Sequence, residues 1–81
     1  MKNGMKRLSW ACRRGMLELD VLLSRFLEEV YPHLSNQDQA LFERYLSCSD
    51  PELYAFLLGQ TVSDNEEFAR MTEMIRTHAR S

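Results

Sequence analysis

Three glycines and two prolines are all the backbone punctuation in these 81 residues. That scarcity leaves little room for disorder. Long apolar runs are missing as well. None approaches the ~18 residues a membrane-spanning helix needs, so no direct membrane insertion is expected. The N-terminus carries lysines without an apolar stretch behind them, so it does not read as a secretory leader, and a cytoplasmic setting is expected. There are only two cysteines, Cys12 and Cys48. A reducing compartment keeps them as thiols, and both are expected to serve as small buried apolar residues. His33 and His78 lack ligand spacing to either cysteine, so no metal site is expected.

Catalytic sets are lacking too. No nucleophile elbow surrounds a serine. The glycines stand singly and far apart, so no phosphate-cradling loop exists and no resident cofactor is expected. Glu28-Glu29 and Glu66-Glu67 read as solvated helix faces. The chain is therefore not expected to be an enzyme. A nucleic-acid-binding domain commonly has an isoelectric point above about 9, against about 5.6 here. A helix-turn-helix reading of the segments around Ser47–Asp50 also fails. Its recognition helix, Pro51–Leu58, would carry Glu52 and no cation to neutralise phosphates.

What is present is helical periodicity. Eighty-one residues make one domain, 1–81, whose small core must use most of its apolar residues structurally. Residues ~5–14 predict a short first helix with Leu8, Ala11 and Cys12 on one face and Trp10 at its edge. Leu17–Tyr31 is the strongest helix. Leu19, Leu22, Leu23, Phe26, Leu27 and Val30 form one apolar stripe, and Pro32 closes it. Ser35 is a good N-cap for a third helix burying Leu41, Phe42, Tyr45 and Leu46. Asp50 as N-cap and Pro51 as first residue open a fourth, which carries Leu53, Tyr54, Phe56 and Leu57 inward until Gly59. Ser63 and Glu66 form a capping-box pattern for a fifth helix, which carries Phe68, Met71 and Ile75. The expected fold is an all-α, compact single-domain bundle of about five short helices. Residues 1–4 and 78–81 are expected to fray.

Charge is uneven along this chain. The first fourteen residues hold Lys2, Lys6, Arg7, Arg13 and Arg14 and no acid. Two arginines, a glycine and two carboxylates then crowd eight residues: Arg13, Arg14, Gly15, Glu18 and Asp20. Helix dipoles account for some of this, with cations closing one helix and anions opening the next. Arg14 and Glu18 would form a surface ion pair worth roughly 0–1 kcal/mol. Capping needs only one charge per end, however, and here several share a corner. Trp10, a residue type enriched at binding hot spots, lies one turn earlier. The stretch reads as a docking surface for a carboxylate- or phosphate-bearing partner.

The run Trp10-Ala11-Cys12-Arg13-Arg14-Gly15-Met16-Leu17-Glu18-Leu19-Asp20 closely resembles the small flavinylation factors of succinate dehydrogenase, the SdhE/YgfY type. Their hallmark is Arg-Gly-x-x-Glu, here Arg14 to Glu18. Leu34-Ser35, Phe42, Leu46, Asp50-Pro51-Glu52-Leu53 and Ile75-Arg76-Thr77 extend the likeness over nearly the whole chain. The resemblance implies a five-helix fold and an assembly factor that is a monomer when free. It implies one partner, the flavoprotein subunit of succinate dehydrogenase, and of fumarate reductase where present. It also implies that FAD is handled on that client, where a histidine joins the flavin 8α-methyl carbon. The partner-binding residues would be Trp10, Arg13, Arg14, Gly15, Glu18 and Asp20. A second implication is of a different class: the antitoxin half of a toxin–antitoxin pair.

Overall fold

The apolar stripe of the second helix sets the architecture. The computed structural model describes residues 2–80, with side chains from Lys6 onward; Met1 and Ser81 lie outside. Five α-helices follow in order: α1 Lys2–Ala11, α2 Leu17–Glu29, α3 Asn36–Tyr45, α4 Asp50–Leu57 and α5 Glu66–Arg80. Among the described residues there is no strand. α5 packs on α2, α3 and α4, and α2 also meets α1 and α4. The radius of gyration is 11.6 Å, beside about 11.7 Å for a well-packed domain of this length.

The stripe residues Leu19, Leu23, Phe26 and Leu27 are buried, and Leu41, Phe42, Tyr45, Leu53, Leu57, Met71 and Ile75 meet them in one cluster. Tyr54 stands at the margin rather than inside. Tyr45 joins the ring cluster edge-on to Phe68 at 5.5 Å. Its hydroxyl pairs with Thr72 Oγ1 at 2.7 Å in the buried interior. Tyr45→Phe would leave that threonine oxygen unpaired, a loss of about 1–2 kcal/mol. The expected result is a melting temperature lower by roughly 5–10 °C in a thermal scan, with fold and function kept.

α1 starts at Lys2 rather than near residue 5, and four other boundaries differ from the sequence pattern, each for a local hydrogen-bond reason. α1 stops at Ala11 rather than near Arg14. Its last turn tightens, with Cys12 N–H shared between Leu8 and Ser9 carbonyls and Arg13 N–H on Trp10 O. α2 ends at Glu29, and Tyr31–His33 form a separate 3-10 turn around Pro32. Ser49, not Asp50, caps α4. Its hydroxyl accepts from Glu52 N–H while the Glu52 carboxylate accepts from Ser49 N–H, a complete capping box. Asn65, not Ser63, caps α5 by accepting from Glu67 and Phe68 N–H, and Ser63 instead bonds Asn65 N–H. Asparagine is at least serine's equal in that role.

Candidate partner-binding corner

Between α1 and α2 the chain must turn within five residues, and Arg14 organises that turn by reaching inward. Its Nε donates to Ala11 O at 2.9 Å, the carbonyl that ends α1. One terminal nitrogen donates to Leu46 O, just past α3. The other donates to Cys48 O at 3.3 Å and to Asp50 Oδ1 at 3.0 Å. The guanidinium thus sits at the C-terminal ends of two helices, where dipoles favour a cation. It also faces a carboxylate in the first turn of a third helix. Four of its five N–H groups are taken. The surface pair expected with Glu18 does not form; Arg14 pairs with Asp50, because the fold brings the α3–α4 turn to it.

Asp20 completes the turn. Its two oxygens accept from Arg14 N–H at 2.7 Å and Gly15 N–H at 3.2 Å. This bridge takes the chain out of α1 and through Gly15 at φ +81°, a left-handed conformation that costs an L-residue about 1–2 kcal/mol. Among the described residues, and apart from its chain neighbours, nothing lies within 4 Å of where a Gly15 β-carbon would stand. The glycine is therefore required by the turn, and it leaves a bare stretch of backbone facing outward.

Around that bare backbone the surface is unusual. Trp10 is 71% exposed, and the Arg13 guanidinium stacks over its ring at 5.2 Å from the centroid. Leu17 is 82% exposed and Val21 45%. They are one turn apart on α2, on a face away from its buried stripe. Glu18 is exposed and makes no hydrogen bond or ion pair among the described residues. A rigid aromatic plate, a bare backbone, two apolar side chains and an unengaged carboxylate make a surface suited to protein docking.

A model of the family described as flavinator of succinate dehydrogenase matches residues 6–79. The chain belongs to this family. A protein of Shewanella oneidensis named FAD assembly factor SdhE is 52% identical over 73 residues, 90% of this chain and 89% of its own. Colwellia psychrerythraea has a protein of the same name, 49% identical over 75 residues, 93% and 82% of the two chains. A third, from Idiomarina loihiensis, is 48% identical over 66 residues, 82% and 73%. The antitoxin implication finds no support in these relatives.

Within this flavinator-family chain the six residues singled out from the sequence fall at one corner in two layers. Arg14 and Asp20 are half-buried and build the turn, whereas Trp10, Arg13, Gly15 and Glu18 face solvent. Leu17 and Val21 were missed. Their signal was present, since both fall off the apolar stripe of α2 while remaining apolar. Asp50 and the Leu46 and Cys48 carbonyls were missed for want of any sequence signal; they lie 32 to 36 residues from Arg14.

Both thiols adjoin this corner. Burial pushes Cys12 from an ordinary 9.0 to about 11, against the opposing pull of Arg14 and helped by Asp20. Cys48 is raised too, by burial and then Glu52, again opposed by Arg14. An acid whose pKa rises on folding holds its proton more tightly in the native state. Its stabilising effect is complete below pH 9 and is lost as pH rises toward about 11. Urea midpoints should therefore fall between pH 8 and pH 10, and less so in Cys12→Ala. An equal fall in the variant would show that burial of the thiol is not the cause.

Proposed function

We propose that this chain is an FAD assembly factor that binds the flavoprotein subunit of succinate dehydrogenase, and of fumarate reductase where present, and promotes covalent attachment of its flavin. The observation that carries this reading is the family match over residues 6–79. The corner supplies a physical route. Trp10, Arg13, Gly15, Leu17 and Glu18 form the contact layer, and Arg14 with Asp20 holds it rigid. Such a surface stabilises the client in the orientation its own histidine needs, which is positioning rather than chemistry. The chain is then a non-enzymatic factor, a monomer when free, acting in the cytoplasm.

FAD is handled on the client in this reading. The glycine turn between α1 and α2 does not suit a dinucleotide phosphate. A phosphate cradle needs free backbone N–H groups at a glycine turn, and those of Arg14 and Gly15 are already held by Asp20. The test mixes the protein with the apo flavoprotein subunit and FAD, denatures the mixture, and reads flavin fluorescence remaining on the subunit. A clear gain over the subunit alone is expected. Equal fluorescence would overturn the reading.

A further inference from the structure

Glu18 belongs to a second feature. Its side chain stands at the rim of a groove of about 220 Å³ between α2, the end of α4 and the last turns of α5. The apolar lining is Leu22, Leu57, Leu58 and Ala79. Arg76 and Arg80 complete the rim. Arg76 is held in place from two sides. It pairs with Glu73 at 3.3 Å, and its guanidinium lies over Gly59, where an added β-carbon would come within 3.1 Å. Gly59, at φ +78°, thus ends α4 and makes room for the arginine. Arg80 is exposed and makes no ion pair among the described residues.

Size and charge define the occupant. Small-molecule and cofactor pockets usually enclose ≈ 300–1,000 Å³, and this groove is smaller, suited to one side chain. Its lining takes an apolar group. Arg76 is already engaged by Glu73, so Arg80 is the rim cation left to meet a neighbouring anion.

We infer that this groove anchors the partner, receiving one apolar side chain from a client segment whose adjacent carboxylate pairs with Arg80. The inference rests on the proposed function and deepens it, extending the contact surface from the α1–α2 corner across Glu18 to the end of α5. Glu18 is then the hinge between two halves of one interface. It repels a misplaced carboxylate on one side and sets the register of the anchor on the other.

Two variants test it with the full-length protein and the apo flavoprotein subunit, with affinity read by titration calorimetry. Ala79→Trp fills the groove, and Arg80→Glu reverses the exposed charge. Each should weaken Kd about tenfold or more, with the melting temperature within about 3 °C of wild type. The wild-type complex should also weaken with salt. Wild-type affinity in either folded variant overturns the inference. Should Ala79→Trp fail to fold, Arg80→Glu alone decides. A wild-type protein that does not bind the subunit at all sinks the proposed function instead, so the two failures are distinguishable.

Discussion

Arg14→Ala should lower the melting temperature by about 10–20 °C. The effect is local. The Arg14–Asp50 pair is only partly shielded, with side-chain exposures of 16% and 43%. Solvent screening limits its direct worth to about 1 kcal/mol. The larger loss comes from the carbonyls of Ala11, Leu46 and Cys48, which the guanidinium satisfies together. Charge-assisted hydrogen bonds are worth about 1.5–3 kcal/mol each, though several on one group do not add. About 3 kcal/mol in total is a fair expectation, and a domain of this size shifts by roughly 4–8 °C per kcal/mol. Arg14→Lys should recover only part of it, because a lysine cannot reproduce the planar fork. Thermal scans followed by circular dichroism decide the matter. A melting temperature within about 3 °C of wild type would mean the inward network is not what holds the corner.

The second large effect concerns Gly15. Gly15→Ala and Gly15→Arg should lose about the same stability, about 1–2 kcal/mol each, because the penalty belongs to the left-handed backbone and not to the side chain. Space outside Gly15 is open, so neither substitution clashes within the protein itself. Flavinylation should separate them. Alanine adds one methyl group, and a modest loss is expected. Arginine places a long cation over the bare backbone that the partner must approach, and stimulation should fall at least about tenfold, the equivalent of ~1.4 kcal/mol. Equal stimulation by the two variants would show that the client does not approach this backbone.

The helices were legible because their signals are local. The stripe from Leu19 to Val30 has the helical period, and Leu19, Leu23, Phe26 and Leu27 are buried as the spacing demands. Ser35 caps α3 as expected, accepting from Asp38 N–H at 3.1 Å. Caps with equivalent competitors were read less well. Ser49 and Asp50 can both cap, as can Ser63 and Asn65, and only the completed turns choose between them. At the corner, the cluster Arg13 to Asp20 was visible as excess charge, but its division into two layers was not. That division depends on the α3–α4 turn coming to Arg14, a contact across 36 residues. The backbone hydrogen bonds of Asp20 likewise depend on where the chain leaves α1. Exposed Leu17 shows the converse case. It lies off the stripe of its helix, so the pattern leaves it out of the expected core without assigning it a surface role.

In the proposed function, one layer of the corner folds the protein and the other meets its client. Glu18→Ala tests it most directly, because Glu18 is exposed and makes no hydrogen bond or ion pair among the described residues. The measurement pairs the rate of covalent FAD incorporation into the apo flavoprotein subunit with a thermal scan of the variant. The expected result is a melting temperature within about 3 °C of wild type and a stimulated rate at least about tenfold lower, as for loss of an interface hot spot. Unchanged stimulation, or a loss that appears only because the variant has unfolded, would contradict it.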